Sequence, residues 1–353
     1  MSYRIALIPG DGIGKEVVPE GRRVLERAGE LTGTRFSFEE FPWGSEYYLE
    51  CGRMMPADAL ERLRPFEAIY LGAVGDPRVP DHVTLNGLLL PIRRAFDQYA
   101  CVRPAVFYEG TRSPLAGKRP GQIDFVVVRE NTEGEYAQVG GHVYEGGAQE
   151  VAVQTAVFTR HGTERVIRFA FELARKRGGK RQLTSVTKSN AQGYGMVFWD
   201  RVFKEVSRDY PDVATESLLV DAACMDLVRR PEAFDVMVGS NLFGDILTDL
   251  AAAVTGSLGL APSANLNPAR TAPSMFEPVH GSAPDIAGRG LANPLAQILS
   301  GRMMLEFLGQ QQAAELVENA VRAVLREGRV LTRDLGGSAS TGEVTDAVLA
   351  CMA

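Results

Sequence analysis

Asn241-Leu242-Phe243-Gly244-Asp245-Ile246-Leu247-Thr248-Asp249-Leu250 is the stretch from which the fold is read. Asp245 and Asp249 stand four apart in a run with helical periodicity, so both carboxylates project from one face. Two like charges at this spacing repel, weakening an isolated helix by roughly 0.2–0.5 kcal/mol. A solvated acidic face is the ordinary outcome for such a pair. Here the pair follows an apolar run at 234–238 and the tight segment Gly239-Ser240-Asn241. That order reads as a buried strand feeding a helix at the carboxyl edge of a sheet, where α/β proteins build their sites. A divalent cation would remove the repulsion, and the pair is read as two metal ligands. Ile246, Leu247 and Leu250 are expected on the apolar side of the helix.

At 353 residues the chain exceeds what one core usually supports, so two domains are expected. A net charge of −6 argues against a nucleic-acid binder and against a polybasic membrane anchor. An anionic substrate would need a local cluster of arginines. Cys51, Cys101, Cys224 and Cys351 form no CxxC pair, which fits a reducing cytosol. The four histidines do not cluster, so a metal here would be held by oxygen, which favours magnesium or manganese. No stretch reads as a signal peptide or a long apolar span, and a cytoplasmic location is expected.

Residues 4–8 run apolar into Pro9-Gly10-Asp11-Gly12-Ile13-Gly14, and a helical pattern occupies 16–31. The third glycine comes one residue early for a dinucleotide fingerprint, so the segment reads as a tight strand-to-helix turn. Gly117-Lys118 is no phosphate loop, because Arg112 and Arg119 occupy the positions that need Gly and Ser or Thr. Strands at 36–41 and 68–71 alternate with helical stretches, the pattern of a doubly wound sheet. Arg93 follows Asn86-Gly87-Leu88-Leu89-Leu90-Pro91-Ile92, Arg103 follows ten residues on, and Arg129 closes the strand at 123–128. Guanidinium groups placed there can hold carboxylates in bidentate fashion. Residues 140–158 suggest a hairpin-like arm, and a helix is expected over 163–175. Lys188 stands at the end of a strand at 183–186, and Asp221 at the end of another at 217–220. The segment from Glu277 to Gly288, continuing to Asn293, is rich in small residues that let a ligand approach the backbone, with Asp285 able to accept ribose hydroxyls. The tail, over 292–308 and 311–327, reads as packed helices.

Taken together, PGDGIG, the Arg93/Arg103/Arg129 spacing, ENTEGEY, TKSN, NLFGDILTDL and HGSAPDIAG resemble the metal-dependent β-decarboxylating dehydrogenases, over nearly the whole chain. That family comprises the isocitrate, isopropylmalate, homoisocitrate and tartrate/D-malate enzymes. The resemblance implies an isopropylmalate-dehydrogenase-like α/β fold, two domains sharing a central sheet, distinct from a standard Rossmann fold. It implies a cofactor-binding domain over 1–99 plus 252–353, and a substrate, metal and dimerisation domain over 100–251 with an arm at about 137–158. It assigns the substrate carboxylates to Arg93, Arg103 and Arg129, with Leu89 and Leu90 beside them. Asp221, Asp245 and Asp249 would hold Mg2+ or Mn2+, with K+ a further candidate cofactor, and Tyr136 and Lys188 would be the acid and base. His280, Gly281, Ser282, Ala283, Pro284, Asp285, Ile286 and Asn293 would line the adenosine half of NAD. It also implies a homodimer in which Lys188 and Asp221 cross into the neighbouring site, with no nucleic-acid or membrane partner.

The expected reaction oxidises a dicarboxylate 2-hydroxy acid and releases CO2, with Lys188 taking the hydroxyl proton and Tyr136 protonating the enolate. Asp285 repels a 2′-phosphate and Ile286 offers it no donor, which favours NAD over NADP. Leu88, Leu89 and Leu90 give a third carboxylate no partner, which argues against isocitrate. Phe96-Asp97-Gln98-Tyr99, 129–136 and 262–268 look most like the tartrate/D-malate branch, although Asn86 stands where that branch is expected to carry an aromatic residue. D-malate or tartrate is the expected substrate and 3-isopropylmalate the alternative. A non-catalytic regulatory or nucleotide-binding member is the alternative of another class, but such a member typically loses a metal aspartate, an arginine or the catalytic pair, and all are retained here. A phosphoryl-transfer enzyme would lack its phosphate loop.

Overall fold

Ile5 to Gly10, at the end of β1 (Ser2–Gly10), are all buried, as in a strand covered on both faces. Alternate residues serve different layers, for Ile5 and Leu7 join one apolar cluster while Ala6 and Ile8 join another. The computed structural model describes residues 2–352. Two compact units emerge: one holds residues through Gln98, Val102–Asp124 and residues from Ala251 on, the other Tyr99–Cys101 and Phe125–Leu250.

In the first unit, β1 turns into α1 (Gly14–Thr32), which buries Val17, Val18, Val24 and Leu25 and ends on left-handed Gly33. β2 (Arg35–Glu40) and β3 (Ala68–Ala73) flank β1 in parallel, and α2 (Ser45–Cys51) and α3 (Ala59–Leu63) lie between them in sequence. After β3, α4 (Asp81–Thr84), a π-helical turn at Leu85–Leu89 and α5 (Leu90–Ala95) follow without a break. β4 (Ala100–Val106) begins in the second unit and ends in the first.

The second unit continues with β5 (Asp124–Glu130), the antiparallel hairpin β6 (Gly140–Val143) and β7 (Val151–Gln154), α6 (Arg160–Arg177), β8 (Gln182–Thr187) and α7 (Gly195–Val206). β9 (Ala214–Leu219), α8 (Val220–Arg229), β10 (Val236–Gly239) and α9 (Asn241–Thr255) complete it, α9 ending in the first unit. Its strands pair in parallel in the order β5-β10-β8-β9. All eight hairpin residues are exposed, so the expected arm stands clear of this unit's core.

The first unit resumes with β11 (Pro262–Leu266), β12 (Ser274–Pro278), α10 (Leu295–Phe307), α11 (Gln311–Glu327) and α12 (Thr341–Cys351). Its strands follow β2-β1-β3-β12-β11, with β11 antiparallel to β12 and the other pairs parallel. The mixed α/β class is as expected. α12 was not anticipated, although Ser340 and Glu343 form a capping box at its start. Among the described residues no helix is long and apolar enough to cross a membrane.

Candidate active site

The aspartate stretch opens α9 directly after buried β10, in the second unit. Gly244 lies on Arg129, where an added Cβ would come within 2.5 Å of the Arg129 Cβ, so only glycine lets the helix pass this close. Arg129 is thereby held against the helix. Its Nε and Nη2 donate to Asn241 Oδ1 at 3.0 and 2.7 Å, and its Nη1 donates to Asp245 Oδ1. The Tyr136 hydroxyl donates to Asp245 Oδ2 at 2.8 Å, and the Arg129 guanidinium lies 5.2 Å from the Tyr136 ring centroid.

Segment 131–136 is tied to the same helix. Glu135 accepts from Ser240 Oγ at 2.7 Å and from Leu242 N at 3.1 Å, at the helix N-terminus where an acid is favoured. Asn241 Nδ2 donates to the Glu133 carbonyl at 3.0 Å. Glu130 is buried beneath the turn, accepting from Thr132 N, Thr132 Oγ1 and Glu133 N. Burial pushes its carboxyl above the usual range in spite of those donors.

Asp249 is exposed one turn along from Asp245. Asp221 lies in the first turn of α8 instead of at a strand end, because β9 stops at Leu219. It is 62% exposed and accepts from Lys188 Nζ at 2.6 Å, a bond that holds its carboxyl below the usual range. Among the described residues of one chain, no three acid, histidine or cysteine side chains gather as a metal-binding group. Ile246, expected on the apolar side, is 49% exposed, whereas Leu247 is buried and Leu250 half-buried. Val197, Met225 and Val228 on α7 and α8 are also exposed.

In the first unit Arg93, at the end of α5, donates through Nη2 to Glu277 Oε1 at 2.6 Å, with both side chains 6% exposed. Asn265 Nδ2 donates to the same oxygen at 2.7 Å. Arg93 Nε is buried with no hydrogen-bond partner among the described residues, a donor aimed at nothing the chain supplies. Arg103, buried in β4, donates through Nε to Ser263 Oγ at 3.3 Å, and Ser263 is paired with Glu277 across β11 and β12. Leu88 and Leu89 belong to an apolar core cluster and Leu90 is buried too, so the leucines expected as a substrate wall are mostly taken up by packing. The exposed residues of the π turn are Leu85 and Asn86.

The loop after β12 packs on the first turn of the chain. Ile13 N donates to the Ser282 carbonyl at 2.9 Å, and an added Cβ on Gly12 would come within 2.1 Å of that oxygen. Asp11 accepts from Ser45 N, Ser45 Oγ and Gly75 N at 2.6–2.8 Å, so the PGDGIG turn acts as a structural joint. A cavity of about 330 Å3 is lined by His280, Ile286, Ala292 and Asn293, and by Gly259 and Asp334 among others. His280 Nε2 is buried without a hydrogen-bond partner among the described residues, and burial pushes its imidazole below the usual value. Gly281, Pro284 and Asp285 are exposed, whereas Ser282 is buried and Ala283 half-buried. Sequence reasoning missed Asp334, which accepts from Asn293 Nδ2 at 2.9 Å and Ser257 Oγ at 2.6 Å, since it lies beyond 327, past the last helix read from the sequence. The largely aliphatic lining, with Ile13, Leu258, Ile286 and Leu291, and the orphaned imidazole nitrogen are compatible with a nucleoside.

The isocitrate/isopropylmalate dehydrogenase family description matches residues 4–348. D-malate dehydrogenase (decarboxylating) of Escherichia coli (strain K12) is 54% identical over 354 residues, covering 98% of each chain. A probable tartrate dehydrogenase/decarboxylase of Bacillus subtilis (strain 168) is 52% identical over 348 residues, covering 98% of this chain and 97% of that one. The crystal structure of isocitrate dehydrogenase from Methylococcus capsulatus matches with a TM-score of 0.88 and 36% identity, covering 99% of both chains. Members of the matched family generally use NAD and a divalent metal, and are generally dimeric. With the match running through both units and nearly end to end, the chain belongs to the isocitrate/isopropylmalate dehydrogenase family.

Proposed function

We propose that this enzyme is an NAD-dependent, divalent-metal-dependent dehydrogenase that converts D-malate to pyruvate and CO2 and oxidises or decarboxylates tartrate. The observation that carries the reading is the convergence of Arg129 and Tyr136 on the two oxygens of Asp245. An anion-binding group, a proton donor and a metal ligand thus meet at one carboxylate. The relatives named for D-malate and tartrate support the substrate class.

Arg93, Arg103 and Arg129 bind the substrate carboxylates, and the unpartnered Arg93 Nε is a donor left for them. Leu89 and Leu90 back the substrate from the core side. Asp245 and Asp249 offer oxygen donors from adjacent turns, a hard donor set suited to Mg2+ or Mn2+, and Asp221 of a second copy supplies the third. The exposed valines of β6 and β7 and the exposed Val197, Met225, Val228 and Ile246 support a homodimer formed through the arm and through α7–α9. Residues 1–99 plus 252–353 bind the cofactor, and 100–251 bind substrate and metal and carry the arm at about 137–158. His280 to Ile286 and Asn293 hold the adenosine half of NAD, where the Asp285 carboxylate takes ribose hydroxyls and disfavours a 2′-phosphate. K+ is a further cofactor to be tested, and the enzyme works in the cytoplasm.

The bound groups supply Lewis acidity toward the C2 hydroxyl and its carboxylate, from the cation, and a hydride acceptor, from NAD+. Lys188 removes the hydroxyl proton and Tyr136 delivers a proton to the carbon that loses CO2. The balance is D-malate plus NAD+ giving pyruvate, CO2 and NADH. The test is NADH formation with D-malate, meso-tartrate, L-tartrate and 3-isopropylmalate, with and without Mn2+. Manganese-dependent turnover of D-malate or a tartrate is expected. Turnover of 3-isopropylmalate alone, or of none, would overturn the reading.

A further inference from the structure

We infer that Glu16 is a positioning residue for the adenosine loop, fixing where Asp285 stands and so how tightly the nucleotide is held. The inference rests on the NAD reading above. Glu16 lies in the first turn of α1, and its side chain bonds the backbone of two glycines that are not among the residues assigned to the nucleotide. Its Oε1 accepts from Gly288 N at 2.5 Å and its Oε2 from Gly290 N at 2.8 Å. Between these glycines and Ser282 the loop holds itself by little. Ile286 N and Ala287 N reach the Ala283 carbonyl at 3.1 and 3.2 Å, and Arg289 N reaches the Ile286 carbonyl at 3.3 Å. Three of its residues, Ala283, Gly288 and Gly290, have left-handed backbones with φ of 41°, 75° and 63°.

Beneath the loop, Ile13, Val17 and Ala292 form a small apolar cluster against which Ala283, Ile286 and Ala287 pack. Apolar contact of this kind is non-directional and tolerates sliding. Direction comes from hydrogen bonds. Ile13 N fixes the loop at its entry through Ser282, and Glu16 fixes it at its exit through two amides, with Thr341 N adding a 2.9 Å bond to the Gly290 carbonyl. Charge-assisted bonds to backbone amides are the stronger kind. Asp285 sits between the two fixed ends with its side chain exposed and its carboxylate in no hydrogen bond or ion pair among the described residues, so its position is set by the clamp. The first turn of α1 therefore orients the nucleotide side of the site through Glu16 without touching the nucleotide.

The test compares wild type, Glu16→Ala and Glu16→Gln by titration with NADH and with ADP-ribose, by D-malate kinetics, and by amide hydrogen exchange at Gly288 and Gly290. The expected result for Glu16→Ala is a Kd about tenfold or more higher for both nucleotides, the scale set by losing charge-assisted hydrogen bonds. Glu16→Gln, with one acceptor oxygen, should fall between. The KM for D-malate and kcat at saturating NAD+ should stay near wild type, and the two amides should exchange faster. ADP-ribose binding within about twofold of wild type, or a loss of D-malate affinity parallel to that of the nucleotide, would overturn the inference. If Glu16→Ala fails to fold, Glu16→Gln decides by the same criteria. A wild-type protein that binds neither nucleotide would sink the NAD reading itself, whereas wild-type binding with an indifferent Glu16→Ala sinks the positioning role alone.

Discussion

Arg93 and Lys188 are both cations hydrogen-bonded to an acid at 2.6 Å, yet they sit in opposite surroundings. In the first unit the Arg93–Glu277 pair is nearly dry and is joined by Asn265. In the second unit Asp221, the acid bound to Lys188, is 62% exposed, and α7–α9 of that unit carry uncovered apolar side chains. A buried pair is costly to break on one side, while an exposed pair contributes little and can trade partners. The Arg93–Glu277 pair is completed by its own chain. On the reading proposed above, Asp221 is instead completed by a metal and a second copy.

The widest gap between the two pairs should appear in turnover. Lys188→Ala and Tyr136→Phe should each lower kcat by about 10²–10⁴-fold, the usual share of a general acid or base, with melting temperatures near wild type. Mixing these two inactive variants under subunit exchange should restore part of the activity, because one site of the mixed dimer regains both groups. No recovery would mean that Lys188 serves its own chain.

Stability should show the reverse asymmetry. Glu277→Gln leaves Arg93 buried without its charge partner and should destabilise the fold by about 3–5 kcal/mol, with a raised KM for D-malate. Asp221→Asn should hardly move the melting temperature and should raise the Mn2+ concentration needed for activity. Equal melting of the two variants would erase the contrast.

A smaller effect is expected in cofactor choice. Wild type should strongly prefer NAD+, and Asp285→Ala should narrow that preference in kcat/KM without lowering D-malate affinity. The smallest concerns pH. Burial lowers the His280 pKa from its ordinary 6.5, so the folded state binds fewer protons than the unfolded state just below that value. Stability should therefore fall as pH drops from 6.5 toward the lowered value, and His280→Gln should flatten that slope in thermal melts.

Much of this was legible in the sequence because it is local. The apolar run before Asn241, the turn at Gly10 to Gly14 and the periodicity of 311–327 each carry their own element. Arg93, Arg103, Arg129 and the Asp245–Asp249 spacing stand out for the same reason, and the family motifs suggest roles for them that spacing alone does not give. What stayed hidden depends on partners far away in the chain. Glu16 meets Gly288 across 272 positions, and Glu277 meets Arg93 across 184. Neither acid looks different in sequence from a solvated one. Ile246 was misjudged because periodicity marks a side chain as apolar without saying whether its own chain covers it.

The π-helical turn at Leu85–Leu89 holds one more residue than an α turn would. Removing that residue would rotate everything upstream by about 100° relative to α5 while leaving Arg93 where it is. Leu85 and Asn86 would be re-aimed as a block, and His82, whose carbonyl holds the Asn86 amide, would swing with them. A single codon lost or gained here would thus change which side chains this turn presents at the surface, with the Arg93–Glu277 bond untouched.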